Sequence, residues 1–470
     1  MLKKSAWDAY SSGDLKKLEA LSTAYRDFLN SGKTERECVD TIVNRIEADG
    51  YKELENLIKE GRKCKPGDKI YSVWMNKSIV MFRIGKKPLT EGMNILGAHI
   101  DSPRLDVKQV PLYEDDYHAF AYMDTHYYGG VKKYQWVTIP LAIHGVVVKK
   151  DQTTIELNIG EDEDDPVFFI SDLLIHLASE QLDKKAAKVI EGEALDLIVG
   201  SKPITLDKTS TKNTTKNVIK AGILDILKKQ YDFEEEDFLS AELEIVPAGK
   251  AREAGLDRSM ILGYGQDDRV CAYTSLQAML DLKKNERTVC TILVDKEEIG
   301  SVGATGMQSK FFENAVAEIM NLTGQYDELS LRRCLAHSCM LSSDVSAAFD
   351  PSYKDKFEKY NAAWLGAGMC FNKFTGARGK SGSNDANAEY IAHLRQLLDE
   401  NHVTYQTAEL GKVDVGGGGT IAYILALYGM NVIDSGVAVL NMHAPWECTS
   451  KADIYEAYKG YLAFAQFAGM

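Results

Sequence analysis

The sequence predicts an α/β protein with a mainly parallel sheet flanked by helices, into which a β-rich domain is inserted. After about residue 250, short apolar runs alternate with segments of helical period, and this alternation is typical of a parallel sheet covered on both faces. Helices and strands also fill the first hundred residues, whereas 106–249 is rich in β-branched segments. We therefore predict one domain from 1–105 plus 250–470 and an inserted domain from 106–249.

The N-terminal part predicts two helices and then strands. Residues 14–30 carry apolar side chains at helical spacing, with Asp14 as the expected cap. Residues 34–50 begin with a threonine cap at Thr34 and end in a glycine. The runs KIYSVWMN, SIVMFRIG and MNILGAHID that follow are apolar or alternating, which predicts strands.

The inserted region contains the strand-like runs WVTIPLAIHGVVV and TTIELNIG, and its polar stretch 207–217 predicts a mobile loop. After it, the predicted helices are RVCAYTSLQAMLDLKK, GMQSKFFENAVAEIMN, DANAEYIAHLRQLLDE, TIAYILALYG and KADIYEAYKGYLAFAQF. The predicted strands between them are TVCTILV, SCMLS, VTYQTAEL and GVAVLNM.

Length and charge exclude several classes of protein. A chain of 470 residues is too long for one compact core. The net charge of −14 and the lack of a Lys/Arg-rich stripe argue against nucleic acid as a partner. No uncharged apolar run has membrane-spanning length, and the start of the chain lacks the apolar core of a leader, so we expect no membrane partner. Eight cysteines without CxxC spacing indicate reduced thiols and a cytoplasmic location.

Polar side chains follow the predicted strands or precede a helix at five places. Taken singly, each has an ordinary explanation: a helix cap, a solvated turn or a surface histidine. In a parallel sheet, however, the carboxyl ends of strands open on one crevice, where ligands bind. The conjunction therefore indicates a site. Its candidate residues are His99 with Asp101, Asp267 with Asp268, Glu297 with Glu298, Asp344, and His443.

Two histidines and three carboxylates suit a pair of divalent metal ions, most of all zinc, with cobalt or manganese possible. A water between two ions needs one further carboxylate as a base. Adjacent glutamates at 297 and 298 satisfy both needs, since one can be a ligand while the other accepts the proton. Asp101 is placed to hydrogen-bond the far ring nitrogen of His99 and fix its tautomer.

The motifs HIDSP and EEIGS, with LSSD and MHA in the expected order, resemble the zinc aminopeptidases of the aspartyl aminopeptidase and vacuolar aminopeptidase I family. The similarity runs from GAHIDSP to MHAPWE. It implies a phosphorylase/hydrolase-like metallopeptidase fold with two zinc ions. The implied roles are one zinc on His99 and Asp344, the other on Glu298 and His443, Asp267 as the bridge, Glu297 as the general base, and Asp101 as the residue that orients His99.

The resemblance also implies an assembly. Residues 106–249 match the dimerisation domain of the family, whose members form tetrahedral dodecamers that admit short peptides. In the segment LLIHLASE, His176 matches a histidine that reaches into the active site of a partner subunit. The alternative interpretation of His176 is a core histidine on an apolar helix.

The sequence departs from the family in two places. Where the family has LDN, this chain has QDDR, which makes Asp268 a competitor of Asp267. Aspartyl aminopeptidases carry histidines after the LSSD motif, whereas this chain has Ala347 and Asp350 there. Added negative charge would repel an acidic side chain, so we expect a neutral or basic first residue at least as readily as an acidic one.

Two loops have less specific signals. The run DVGGGGTIA at 414–422 lacks the Gly-Lys-Ser/Thr of a phosphate loop, and a close approach of its backbone to the substrate is the better interpretation. The segment 379–390 is expected to be another active-site loop, in which Lys380 is a weak candidate for binding a substrate carboxylate.

These observations predict a cytoplasmic metallo-aminopeptidase with two metal ions. A carboxypeptidase or amide deacylase on the same metal site is the enzymatic alternative. A non-catalytic shell or cargo protein is the other, although a scaffold has no need of a free base at Glu297.

Overall fold

The computed structural model describes residues 4–204, 217–376 and 379–469. Contacts within the chain define two compact units. The larger unit comprises Met1–Asp101, Ala251–Met442 and Glu447–Met470, and the smaller unit comprises Ser102–Lys250 and His443–Trp446. The predicted mobile loop at 207–217 lies, except for its last residue, outside the described residues.

The helices in the described part of the chain are α1 (Ser12–Ser31), α2 (Glu35–Ala48), α3 (Leu54–Lys59), α4 (Ser179–Leu182), α5 (Ala186–Val189), α6 (Val218–Tyr231), α7 (Gln266–Asp281), α8 (Phe311–Leu322), α9 (Glu328–Ala336), α10 (Ala388–Glu400), α11 (Ala422–Ala426) and α12 (Lys451–Ala465).

The strands in the same part of the chain are β1 (Lys52–Glu53), β2 (Lys69–Trp74), β3 (Ser78–Arg83), β4 (Asn94–His99), β5 (Arg104–Glu114), β6 (Ala121–Tyr128), β7 (Leu141–Val148), β8 (Thr154–Ile159), β9 (Leu197–Gly200), β10 (Ala241–Pro247), β11 (Arg252–Ala254), β12 (Met260–Gly263), β13 (Val289–Val294), β14 (Cys339–Ser342), β15 (Ser346–Ala347), β16 (Met369–Asn372), β17 (Tyr405–Thr407), β18 (Asn431–Gly436), β19 (Ala438–Leu440) and β20 (Glu447–Ser450).

The first two helices begin at capping boxes. Thr34 caps α2 as predicted, and its hydroxyl accepts the backbone N–H of Glu37. The prediction that Asp14 caps α1 is wrong, because Ser11 is the cap. The Asp14 carboxylate accepts the N–H of Ser11 at 3.1 Å. Asp14 is therefore the third helical residue of the capping box, and Ser11 is its N-cap.

The larger unit contains a nine-stranded mixed sheet with the order β1-β2-β3-β13-β4-β14-β18-β16-β17. Its central block β13-β4-β14-β18 is parallel, and β3 and β16 run antiparallel to this block on either side. Every residue of β4, β13 and β14 is buried, as expected for strands covered on both faces. Because these strands run in one direction, their carboxyl ends lie at the same edge of the sheet.

Helices cover both faces of this sheet. Side chains of α1, α2, α7, α10 and α12 form one apolar core, and side chains of α3, α8, α9 and α11 form the other. Adjacent residues of β4 point to opposite faces, so Leu96 packs in the first core and Ile95 in the second. The two cores hold the central strands, and therefore the residues at their ends, in fixed positions.

The larger unit also contains a five-stranded sheet with the order β11-β12-β20-β19-β15. The run GVAVLNM, expected to continue the main sheet, supplies β19 of this second sheet, parallel to β15 and antiparallel to β20. The strand β18, which was not among the predicted strands, lies beside β14 in the main sheet instead.

The smaller unit contains a six-stranded sheet with the order β8-β7-β10-β5-β6-β9, in which all neighbouring strands are antiparallel. His176 lies in the 3-10 turn Ile175–Leu177, and its side chain is exposed. The interpretation of His176 as a core histidine on an apolar helix is therefore wrong. Its neighbours Leu174, Ile175 and Leu177 are 54%, 66% and 67% exposed.

All eight cysteines are free thiols, and all except Cys64 are buried, in agreement with the prediction of reduced cysteines. Within the described ranges, no helix is both long enough and apolar enough to cross a membrane.

Candidate metal centre

Three strands of the central block deliver candidate residues to one edge of the sheet. His99 is the last residue of β4. Glu297 follows the end of β13 by three residues, and Asp344 follows the end of β14 by two. Because β13 and β14 are the two parallel neighbours of β4, the three side chains leave the sheet beside each other.

The imidazole of His99 is the centre of this group. Its Nε2 lies 3.2 Å from Asp267 Oδ1, 4.0 Å from Asp344 Oδ1 and 4.0 Å from Glu297 Oε2. Ligand atoms of His99, Asp267 and Asp344 all lie within 4.8 Å of one another. The same holds for His99, Glu297 and Glu298. Two groups of potential metal ligands thus share one histidine.

Asp101 contacts both the histidine and the glutamates. Its Oδ1 lies 3.3 Å, and its main-chain oxygen 3.1 Å, from Nδ1 of His99. Its carboxylate also accepts the backbone N–H groups of Glu297 and Glu298, each at 3.2 Å. A proton on Nδ1 of His99 satisfies its contacts with the two oxygens of Asp101 and leaves Nε2 available as a ligand. The bonds from Asp101 to the two N–H groups fix the backbone that carries both glutamates.

The two adjacent glutamates lie on a tight turn and not on a regular helix. They form the 3-10 turn Glu297–Ile299, which is bounded by Lys296 at φ 70° and Gly300 at φ 100°. Glycine adopts this left-handed conformation without strain, whereas a lysine keeps it only where neighbouring contacts offset the strain. Lys296 has that support, since its Nζ lies 2.9 Å from Asp295 Oδ2 and its carbonyl accepts the N–H of Ser301 at 2.7 Å. Because the chain turns directly after β13, the charged residues that follow this buried strand lie in the turn and not in the strand.

Asp267 and Asp268 have different surroundings. Asp267 is at the start of α7, and its N–H donates to the buried carboxylate of Glu447 at 3.0 Å. Asp268 accepts the backbone N–H of His99 at 3.4 Å and interacts with the thiol of Cys271. Of the two competing candidates, Asp267 is therefore the one whose carboxylate faces the ring of His99.

The electrostatics of this group indicate a site for a cation. Burial raises the pKa of Asp344 well above its usual range, and the charges of Asp267 and Asp268 raise it further. Burial acts to lower the pKa of His99, but hydrogen bonds with Asp101 and Asp267 outweigh it and raise that pKa well above its usual value. Buried carboxylates this close repel each other unless a positive charge lies between them. Imidazole and carboxylate donors fit a divalent ion such as zinc.

His443 follows β19 of the five-stranded sheet and belongs to the smaller unit. Its Nδ1 lies 3.0 Å from the carbonyl oxygen of Gly130 in the same unit. With a proton on Nδ1, the imidazole donates to this carbonyl and presents Nε2 as its lone-pair nitrogen.

Three residues from the weaker sequence signals make local contacts. Lys380 Nζ lies 2.9 Å from Asp385 and 4.3 Å from the ring centre of Phe374, so its charge is engaged within its own loop. Asp350 accepts the N–H of Ser352 at 2.8 Å and caps a 3-10 turn. Ala347 lies in the short strand β15.

Glu447 was not predicted as a site residue, although it positions the main chain of Asp267. Its side chain is 1% exposed. The buried Asp434 of β18 was not predicted as a site residue either. Glu447 is the last residue of the motif MHAPWE, which was a usable signal, whereas the lone aspartate in NVIDSG was not.

The family described as aminopeptidase I zinc metalloprotease (M18) matches residues 28–465. The chain belongs to the M18 aminopeptidase family. It is therefore a hydrolase, a metal-dependent aminopeptidase of the zinc type.

Relatives of this M18 aminopeptidase match over nearly the full length. A probable M18 family aminopeptidase 1 of Clostridium acetobutylicum is 61% identical, over 98% of this chain and 97% of the relative. The crystal structure of an M18 aminopeptidase from Thermotoga maritima has a TM-score of 0.93 at 44% identity and covers 99% of both chains. A structure of the S. cerevisiae mApe1 dodecamer has a TM-score of 0.75 at 19% identity, over 96% of this chain and 97% of that one, and shows likeness of fold alone.

Proposed function

We propose that this M18 aminopeptidase removes the first residue of short peptides by attack of a water molecule, with Glu297 as the general base and two divalent ions in the site. The observation that carries the proposal is the arrangement around His99, where Asp267 and Asp344 approach Nε2 while Asp101 occupies Nδ1. A histidine ligand oriented by a carboxylate is a common element of zinc sites.

The proposed ligands follow the family resemblance. His99 and Asp344 would hold one ion, Glu298 and His443 the other, and Asp267 would bridge. Zinc is the expected metal, with cobalt or manganese as alternatives. When bound, the ions would polarise the scissile carbonyl and lower the pKa of the attacking water.

The residues of the chain supply the proton transfers and the positioning. Glu297 takes the proton of the attacking water and then gives it to the nitrogen of the leaving peptide. Asp101 keeps Glu297 in register with His99, because its carboxylate accepts the backbone N–H of residue 297 at 3.2 Å. The partly exposed position of Glu297, with a side chain 16% accessible, supports its contact with substrate and solvent.

Metal removal and a blocked amine test this proposal together. Dialysis against a chelator is expected to abolish hydrolysis of amino-acid p-nitroanilides, and added zinc or cobalt is expected to restore it, because the carboxylates around His99 need the cations. N-acylated p-nitroanilides should not be cleaved, since they lack the free amine of an aminopeptidase substrate.

Within the same set of substrates, lysine and leucine p-nitroanilides should be cleaved at least as well as the aspartate compound. Release of the acyl group from the N-acylated compounds, with the anilide bond left intact, would favour the alternative of an amide deacylase. Hydrolysis of peptides only from their carboxyl end would favour a carboxypeptidase, and a metal-loaded protein inactive on every substrate would favour a non-catalytic scaffold.

We also propose that the protein acts in the cytoplasm and assembles through the inserted domain at 106–249 into dimers and then dodecamers. The exposed apolar residues around His176 support self-association, since a contiguous apolar surface is usually covered by a partner. The dodecamer of the yeast relative suggests the final assembly. In this proposal His176 reaches the active site of a neighbouring subunit.

The His176→Ala variant is expected to be nearly inactive while keeping its full metal content, because His176 would act on substrate and not on metal. After dissociation and reassembly with an inactive Glu297→Gln protein, activity should return, since some mixed dimers then contain one site with both natural residues. Absence of activity in verified mixed oligomers would show that His176 does not act across subunits. Glu180→Ala, which changes a nearby exposed residue of α4 outside the apolar set, is the control.

A further inference from the structure

Asp295 is a buried acid that the mechanism above does not use. It directly follows β13, and its side chain is 1% exposed. A carboxylate in such a position is unfavourable unless nearby groups compensate its charge. The hydroxyl of Thr305 donates to its Oδ2 at 2.6 Å, and Nζ of Lys296 lies 2.9 Å from the same atom. Asp295 therefore joins the start of the turn with the two glutamates to a residue ten positions further along the chain.

The main chain makes the same connection. The N–H of Asp295 donates to the carbonyl of Thr305 at 3.3 Å, and this carbonyl also accepts the hydroxyl of Ser78 in β3 at 2.5 Å. Thr305 is 3% exposed, and Ser78 has no exposed surface. Because β3 is the antiparallel neighbour of β13, these bonds fix both ends of the loop 296–305 to the main sheet. A compact loop with joined ends is packed by its own side chains.

The loop 296–305 depends on this closure because its backbone is strained. Lys296 and Ser301 have φ angles of 70° and 61°, which residues other than glycine keep only where the surrounding structure holds them. The side chain of Lys296 runs towards Gly303, where a Cβ would lie 3.1 Å from Lys296 Cδ. Without the contacts at its base, the loop would relax, and the two glutamates that it carries would move with it.

We propose that Asp295 and Thr305 are positioning residues, which close the loop 296–305 at its base and so hold the general base and the adjacent ligand in place. The inference rests on the proposed function, in which Glu297 is that base and Glu298 is the ligand. Asp295 and Thr305 act through the main chain of the loop and not on the substrate. Loss of the closure therefore displaces the base from the attacking water, and it slows the chemical step more than it weakens substrate binding.

Three variants test the closure. Thr305→Val keeps the shape of the side chain without its hydroxyl, and Thr305→Ser keeps the hydroxyl. Thr288→Val is the matched control, since Thr288 is also buried, lies just before the other end of β13, and accepts the N–H of Gly85 on its hydroxyl at 3.0 Å.

The kinetic measurement uses leucine p-nitroanilide and saturating zinc, so that loss of an ion does not account for a change in rate. We expect kcat of Thr305→Val to fall about ten- to hundredfold, as for a catalytic group displaced by about 1 Å, while KM stays within about threefold. Both kcat and KM of Thr305→Ser and of Thr288→Val should stay within about threefold of the natural values. A rise in KM at unchanged kcat in Thr305→Val, or a loss in kcat no greater than that of Thr288→Val, would overturn the proposal.

Hydrogen exchange provides a readout that needs neither activity nor metal. In the presence of a chelator, the amides of residues 297–304 should exchange faster in Thr305→Val than in the natural protein. Thr305→Ser and Thr288→Val should leave the exchange of these amides unchanged. Natural exchange of residues 297–304 in Thr305→Val would also contradict the proposal, because the loop would then keep its shape without the hydroxyl.

Asp295→Asn tests the other partner. It keeps the volume of the side chain but removes the charge that holds Thr305 and Lys296, so kcat should fall and exchange should quicken as in Thr305→Val. Since both residues act through one contact, the double variant should be no worse than the worse single one, and losses in kcat that multiply would speak against the shared contact. If Thr305→Val does not fold, Asp295→Asn decides by the same measurements. If the natural protein cleaves no p-nitroanilide, the proposed function fails, and the exchange data alone decide whether the closure holds the loop.

Discussion

Glu297→Gln is expected to bind metal as the natural protein does and to lose about 10²–10⁴-fold in kcat, the usual effect of removing a general base. Glutamine keeps the shape and the hydrogen-bonding reach of the side chain but accepts no proton from water. The backbone N–H of residue 297, which donates to Asp101, is untouched by the substitution. The turn should therefore keep its place. Metal content after dialysis tests whether metal binding is unchanged, and turnover with excess zinc tests whether the loss in kcat remains.

Glu298→Gln is the matched control, because it makes the same chemical change at the next residue of the same turn. It replaces a proposed anionic ligand with a neutral amide, so we expect it to lose one ion on dialysis and to regain part of its activity in excess zinc or cobalt. Excess metal should not help Glu297→Gln. Loss of metal by the 297 variant with full retention by the 298 variant would mean that base and ligand are exchanged.

Asp267→Asn should cost at least about 10³-fold in activity at stoichiometric metal, because a bridging ligand serves both ions and the attacking water depends on them. Asn keeps the volume of the side chain and the backbone N–H that donates to Glu447. The loss should therefore come from weaker metal binding and not from unfolding. Metal titration with a calorimeter, together with a Tm measured in chelator, distinguishes these causes.

The neighbouring Asp268→Asn is the control for that substitution. Its carboxylate faces the backbone N–H of His99 and the thiol of Cys271, so we expect two bound ions and a smaller loss of activity. Two bound ions in Asp267→Asn and fewer in Asp268→Asn would identify Asp268 as the bridging ligand.

The sequence predicted those parts of the fold that depend on local pattern. Thr34 caps a helix because the capping box lies within four residues of chain, and the apolar runs at β4 and β13 are strands because they are buried on both faces. The strand β18 escaped notice because its buried residues include Asp434 and Ser435, whose polarity conceals a core strand. The place of β19 in a second sheet depends on pairing between distant segments, which no local pattern encodes.

In the candidate site, too, the features set by local pattern were predictable and the contacts between distant segments were not. Adjacent glutamates after a strand indicated a ligand and a base, yet the residues alone did not say which is which, and that assignment stays a prediction based on resemblance. The contact of Asp101 with the ring of His99 follows from a spacing of two residues. Its contacts with the N–H groups of residues 297 and 298 join segments almost two hundred residues apart, so the sequence held no sign of them.

Those contacts of Asp101 have a consequence for metal exchange. One carboxylate joins the imidazole at the end of β4 to the main chain after β13, and each bond is made between groups of the protein itself. The ring of His99 and the main chain that carries the two glutamates are therefore held by groups of the protein itself. Reconstitution of the apoenzyme should then be limited by entry of the ion, and enzymes loaded with zinc, cobalt or manganese should share one arrangement of these side chains.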